Sequence, residues 1–414
     1  MRSRPVYLYL TSFFPSARSW RGGFCYDTVN ALRRNGRYDV LVMRNNQSER
    51  DNYTIDGIDV ACFVRRGLGS SRYFSTALTR WNNRLFFKKL EECGVRVEDV
   101  AVCHVQDIPT YGQYAVALKR ANPLCVTLAT HHFTAGGYPL AYGRLRYCPI
   151  LSELNYFRHR YYCESFDAHI FVSEASRDSF GRAKYGDSVF KQHDALDVLP
   201  FNGLYRRVRL KDTYVWYNGV DRALFYPRPI SHSGYVIGCV ANFNPAKSQE
   251  DLIVAFSRIV SVIPDARLRF VGSGLTLSKC KVLAQRLGVA DRVSFEPEMQ
   301  HKDLPLFYNE LDLFVLPSIN EGFCCTYLEA DACGIPIVAC QGISIQEIMS
   351  HADRERFLVK PRDADDLVAK IVAIYHSRGK PQFIRDMDIV VLTRNYLVWL
   401  ERKSWEIIQN VKKG

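Results

Sequence analysis

A chain of 414 residues is too long for one ordinary core and points to two domains of roughly 200 residues each; an apolar share of 47% argues against disorder, and no run approaches the roughly 18 apolar residues of a membrane helix. The 13 cysteines are odd in number, scattered and without a Cys-x-x-Cys pair, which argues against a zinc site and reads as reduced cytosolic thiols, not a disulfide framework. The net charge of +12 is uneven, since residues 1–220 hold 31 Lys and Arg against 20 Asp and Glu, and residues 221–414 hold 24 against 23; the first half is either an ordinary solvated surface or a face for something anionic, such as a membrane leaflet, a phosphate-bearing acceptor or nucleic acid.

The opening "PVYLYLTS" reads as a first strand, because the segment lacks the long apolar core and cleavage site of a signal peptide. "GGFCYDTVNALRRNG" reads as a helix, with Phe24, Val29 and Leu32 near helical spacing and Gly36 as its stop. Strands follow at "YDVLVM", "VAVCHVQD", "LCVTLATHH" and "AHIFVS". The second half repeats the design through "YVIGCVAN", a helix to Pro264, "ARLRFVGSG", a helix closed by Gly288, "VSFEPE", "DLFVLPS" and "PIVAC". "DADDLVAKIVAIYHSRG" is a helix whose acidic first turn suits the helix dipole. Between the halves, "VWYNGVDRALFYPRP" carries an Asn-Gly turn and two prolines, which places a hinge near residues 217–230. The last stretch, which includes Trp399 and Trp405, reads as a long helix rich in large apolar residues. Strands alternating with helices argue for parallel sheets covered on both faces. Two such α/β domains leave a cleft at the carboxyl ends of their strands, where ligands bind in open α/β sheets.

"SINEGFCCTYLEADACGIPIVAC" stands where chemistry is expected. A strand ends before it, Glu321 and Gly322 occupy the loop, and a helix follows that Gly334 ends. The backbone N–H groups of Phe323, Cys324 and Cys325 at that helix start suit an anion. Glu329 lies about two turns after Glu321, and a carboxylate accepts from both donors of a vicinal diol. Hydroxyls at both ends with an anion between describe a nucleoside diphosphate sugar.

The segment resembles the E-x7-E signature of the retaining GT4 glycosyltransferases, a family with the GT-B fold. "IGCVANFNPAKSQEDLIVAF", "RVSFEPEMQHKDLPLFYNELDLFVLPS" and "WYNGVDRALFYP" are similar to the family in the same order, as are "SWRGGFCYDTVNALRRNG", "CHVQD", "LATHH" and "AHIFVSEASRDSF". The resemblance implies two Rossmann-like doubly wound domains with a cleft between them: an acceptor-binding domain over 1–217, a nucleotide-sugar domain over 218–390, and a terminal helix over 391–414 that crosses back to the first, where its segment with Trp399 and Trp405 would bury apolar area. It implies that Glu329 holds the ribose, that Glu321 contacts the donor sugar, and that the amides around Phe323 to Cys325 hold sugar and diphosphate. Lys247 would stabilise the departing diphosphate more strongly in the transition state than in the ground state. Asn242 stands where relatives often carry a second cationic clamp, an arginine. Gly22 and Gly23 match a glycine pair that lets backbone approach the donor phosphate, with Arg21 beside it. His131 matches a histidine near the donor sugar, with His132 one residue away as the alternative register. Ser173 and Glu174 match a loop feeding the cleft. The "VGSG" of 271–274 matches a glycine loop beside the base, while Gly342 and Glu347 read as structural.

The implied reaction is front-face sugar transfer with retention, free of metal or other cofactor, to a glycan or lipid-linked acceptor. Closure about the hinge would exclude water. Capsule or O-antigen assembly at the cytoplasmic leaflet fits the basic first half, which would give peripheral contact with anionic membrane. Two rivals are a nucleotide-sugar epimerase of the same fold and a basic nucleic-acid-binding module. The second is disfavoured, because the charges are scattered and no nucleic-acid motif is present.

Overall fold

A computed structural model describes residues 4–16, 19–20, 22–45, 51–64, 79–132, 160–180 and 208–413. The chain divides into two compact units: Met1–Ser16, Cys25–Tyr217 and Thr393–Gly414 form the first, and Ala17–Phe24 with Asn218–Leu392 the second.

Strands β1 (Val6–Leu10), β2 (Asp39–Asn45), β3 (Tyr53–Ile55), β4 (Ile58–Phe63), β5 (Val100–Val105), β6 (Val126–His131), β7 (Ala168–Phe171) and β8 (Thr213–Val215) form the sheet of the first unit, in the order β3-β4-β2-β1-β5-β6-β7-β8. Its strands pair in parallel apart from the β3–β4 hairpin. That hairpin turns at Asp56-Gly57, both at positive φ, the backbone that an Asp-Gly pair favours. β1 is buried along its whole length, as a strand must be when helices cover both faces. Helices Gly23–Asn35, Thr79–Glu92 and Ile108–Ala121 lie between its strands in sequence.

Within this core, His104 is 1% exposed. Its Nδ1 lies 2.7 Å from the Tyr7 hydroxyl and its Nε2 lies 2.6 Å from Thr130 Oγ1. The Tyr7 hydroxyl also meets that of Tyr396 at 2.6 Å. Tyr396 stacks on Trp216 with ring centroids 3.7 Å apart, and Trp399 stacks on Tyr214 at 4.7 Å. The helix Ile389–Lys413 thus packs its first aromatic residues on the first unit. The expectation that Trp405 also buries apolar area fails. Trp405 is 63% exposed, because its position lies on the solvent side of the same helix.

Strands β9 (Val236–Val240), β10 (Arg267–Val271), β11 (Val293–Glu296), β12 (Leu313–Leu316), β13 (Ile337–Cys340) and β14 (Leu358–Val359) build the second unit in the order β11-β10-β9-β12-β13-β14, all parallel. In sequence rank this is the doubly wound order 3-2-1-4-5-6, in which the direction of strand addition reverses between the first and fourth strands. Here that switch point separates β9 from β12. Gly272 and Gly274, beyond β10, sit at φ +142° and +148°, and a Cβ on either would lie 2.2–2.3 Å from the carbonyls of Ala241 and Phe243. The "VGSG" turn therefore packs backbone to backbone against the end of β9. Cys25, Cys103, Cys125, Cys239, Cys280, Cys333 and Cys340 are buried thiols outside any disulfide.

Burial depresses the His104 imidazole to about 3, with a smaller push from His132. A base whose folded pKa is lowered lends stability above its ordinary value near 6.5, and that stability is lost as pH falls towards the folded value. Urea unfolding should show this contribution falling by about 3 kcal/mol between pH 7 and pH 4.5. The slope should flatten by that amount in His104→Gln; equal slopes in the two proteins would refute the assignment.

Candidate functional site

The switch point of the second unit gathers side chains from the loops after β9 and β12. After β9 the chain makes a short 3-10 turn, Pro245–Lys247, whose cap Asn244 accepts the amide of Ala246 at 3.0 Å. Ser248 follows at φ +51°, a conformation that costs a non-glycine residue of order 1 kcal/mol and persists only where neighbours enforce it. The neighbours are visible: the Ala246 carbonyl accepts from the Ser318 hydroxyl at 3.0 Å and from the Ile319 amide at 2.9 Å. The two loops are thereby stitched together beside Lys247.

Lys247 donates to Glu321 Oε1 in an ion pair that is largely buried, with side chains 17% and 12% exposed. Burial pushes the Lys247 ammonium down, but the Glu321 charge, aided by Cys324 and the hydrogen bond to Glu321, raises it above the ordinary lysine value. Stability linked to a raised lysine is complete below that ordinary value and is lost only as pH rises past the folded one. Lys247 thus keeps its charge across neutral pH. Burial, and then the Glu321 charge, push the neighbouring Cys324 thiol up to about 11, so it is neutral and no thiolate nucleophile.

Cys324 caps the helix Cys325–Ala332. Gly322 and Phe323 are buried before it, and the Phe323 carbonyl accepts Asn218 Nδ2 at 3.1 Å. The Tyr327 hydroxyl donates to the Leu316 carbonyl at 2.6 Å, fixing the helix to β12. Glu329, buried within this helix, accepts at Oε2 from the Tyr308 hydroxyl at 2.7 Å, while His301 Nε2 lies 3.7 Å from Oε1. Burial, with the Glu329 charge, holds the Tyr308 phenol well above its usual range, so it remains a donor. His301 and Tyr308 escaped the sequence reading, since an aromatic in an apolar helix period reads as core and a lone histidine carries no local signal.

The other expected residues fall as follows. Asn242 is exposed at the end of β9 and its carbonyl accepts from Gln249 at 3.1 Å. Gly22 sits at φ +94° and Gly23 opens the helix Gly23–Asn35. Both belong with the second unit. Arg21 lies outside the described residues. His131 ends β6 and His132 follows it, both in the first unit. His131 Nε2 meets His169 Nδ1 at 2.8 Å and its ring stacks on Phe171 at 4.7 Å. His132 Nε2 lies 2.8 Å from Gln106 Oε1, and burial lowers it to about 4. Ser173 caps the short helix Glu174–Ser179. Gly342 donates its amide to Gln346 at 3.1 Å.

Solved structures share this architecture along nearly the whole chain. A sucrose-phosphate synthase from Thermosynechococcus elongatus superposes with a TM-score of 0.62 at 16% identity, covering 99% of both chains. Anabaena HepE in complex with UDP superposes with a TM-score of 0.65 at 18% identity, covering 96% of this chain and 100% of that one. Two doubly wound parallel sheets of this kind define the GT-B fold. Residues 223–387 match the family Glycosyl transferases group 1, and that matching segment bears Lys247, Glu321 and Glu329. Among curated relatives, a GDP-mannose-dependent alpha-(1-6)-phosphatidylinositol monomannoside mannosyltransferase from Mycolicibacterium smegmatis is 33% identical over 190 residues, 42% of this chain and 44% of that protein. An N-acetyl-alpha-D-glucosaminyl L-malate synthase from Bacillus anthracis is 31% identical over 152 residues, 34% of this chain and 39% of that one. The similarity thus spans less than half the length of each of these relatives.

Removing one member of a buried pair strands the other charge, at about 3 kcal/mol or more. Lys247→Met should show that loss in urea unfolding, and adding Glu321→Gln should restore most of it. Additive losses in the double variant would contradict a coupled pair.

Proposed function

We propose that this chain moves a sugar from a nucleoside diphosphate sugar to a hydroxyl of a glycan or lipid-linked acceptor, with retention at the anomeric carbon. The observation that carries the reading is the Lys247–Glu321 pair at the switch point, inside the segment that matches the family Glycosyl transferases group 1. Glu329 offers its carboxylate to the ribose hydroxyls, and Glu321 turns to the donor sugar. The amides from Gly322 to Cys325 face the diphosphate and sugar. Lys247, released from part of its pairing, neutralises the charge that grows on the diphosphate as the bond from C1 to the phosphate oxygen breaks. The acceptor oxygen bonds C1 from the same face, and its proton passes to the departing diphosphate. Gly22, Gly23 and Asn242 serve the donor phosphates, and the role assigned to His131 is contact with the donor sugar. Charge neutralisation by Lys247 and backbone amides supports a reaction without metal. Names of relatives support the substrate class: the Anabaena protein was solved with UDP, and the mycobacterial relative is named for GDP-mannose and a phosphatidylinositol mannoside acceptor.

With the cognate donor, Lys247→Ala should lower kcat by about 10²-fold, as loss of an oxyanion donor does. Glu329→Ala should weaken UDP or GDP binding measured by calorimetry. Turnover should persist in excess EDTA, and NMR of the product should show the donor's anomeric configuration. Near-normal kcat in Lys247→Ala, or activity lost to EDTA and restored by magnesium, would overturn the corresponding assignment.

No helix among the described residues is long and apolar enough to cross a membrane. The basic balance of residues 1–220 supports peripheral attachment at the cytoplasmic leaflet, close to a lipid-linked acceptor in surface polysaccharide assembly. Cosedimentation with vesicles containing anionic lipid should therefore be strong at low salt and weak above about 0.5 M, where screening reaches a few ångströms. Equal recovery at both salt concentrations, or with neutral vesicles, would remove the membrane role.

A further inference from the structure

The residues that surround Glu329 form a relay that reaches the glycine pair. Both Glu329 partners come from one stretch: His301 in the turn before the helix Leu304–Asn309, and Tyr308 inside it. His301 is 6% exposed. Its ring stacks on Trp20 with centroids 6.0 Å apart and planes 20° apart, and Phe225 meets it edge-on at 5.1 Å. Trp20 is itself fixed, because its amide donates to Glu298 Oε1 at 2.9 Å and the Ser19 hydroxyl reaches the same oxygen at 3.1 Å. A Cβ on Gly23 would lie 3.8 Å from His301 Cδ2, so the glycine backbone passes at ordinary contact distance from the imidazole.

We infer that His301 is a positioning residue for donor binding: clamped between Trp20 and Phe225, it sets the Glu329 carboxylate for the nucleotide's hydroxyls and couples that setting to the segment carrying Gly22 and Gly23. This inference rests on the proposed role of Glu329. A carboxylate has about four lone-pair sites. Tyr308 occupies one on Oε2, and His301 Nε2 stands 3.7 Å from the other oxygen, Oε1. The two neighbours together limit the rotation of the carboxylate, with lone pairs still open to a diol. The Trp20 stack supplies what a single hydrogen bond cannot, a fixed plane for the imidazole. If the segment with Gly22 and Gly23 shifts, Trp20 shifts with it, and the histidine loses its plane.

The test measures UDP and GDP affinity by calorimetry, with donor KM and kcat measured beside it. His301→Ala should weaken the preferred nucleotide's Kd by about 10-fold, the scale of a hydrogen bond to a charged group, and raise donor KM with kcat nearly unchanged. His301→Gln, which keeps a donor, should recover much of the affinity, and His301→Leu should not. Trp20→Phe should stay near wild type, while Trp20→Ala should follow His301→Ala. In a Glu329→Gln background, His301→Ala should have little further effect, since coupled residues do not add. Additive effects, or wild-type affinity in His301→Ala, would overturn the inference while leaving Glu329 in place. Unchanged affinity in Glu329→Gln alone would instead sink the ribose reading. Urea unfolding of each variant separates these outcomes from loss of the fold.

Discussion

Two charges taken out of water together hold the centre of the second unit. Lys247 follows one strand and Glu321 another, and each would be costly to bury alone. Their pairing fixes the loops after β9 and β12 against each other, with the Ala246 carbonyl as a second tie. A buried ion pair is seldom retained for stability, because well-packed apolar residues often do as well. On the proposed reading, the pair supplies a cation already close to where the diphosphate would lie, freed from part of its pairing as charge develops there. The left-handed backbone at Ser248 joins the turn that carries Lys247 to the helix Gln249–Val262.

Much of this was legible in the chain because the signals were local. Apolar runs ending in polar residues marked β1, β2, β5, β6, β9, β10, β12 and β13, and the spacing from Glu321 to Glu329 placed both carboxylates around one helix start. The order of strands was not legible, since sheet neighbours are chosen by tertiary packing. The β3–β4 hairpin carried a readable Asp56-Gly57 turn between short alternating runs, and the helix Ile108–Ala121 carried Pro109 in its first turn; both signals were present and passed over. Trp405 misled because a tryptophan in an amphipathic helix reads as core, while this one lies on the exposed face. His301 and Trp20 are 281 residues apart in sequence, and no spacing rule connects them.

The pairing of Lys247 with Glu321, and not with Glu329, separates the two carboxylates of one motif. Glu321 shares its charge with an ammonium. Glu329 is met by a phenol and an imidazole. A phenol donates without cancelling charge, so the second carboxylate keeps the accepting strength that sugar hydroxyls require. A lysine in Tyr308's place would tie up both oxygens and neutralise them. A second carboxylate-like partner would raise the cost of ionisation. On the proposed reading, the motif therefore grades its electrostatics along the ligand: a neutralised pair where phosphate charge must be balanced, and an acceptor with oriented lone pairs where a diol must be held. The grading depends on neighbours outside the motif itself, which is why the same two glutamates in an unrelated helix would carry no such chemistry.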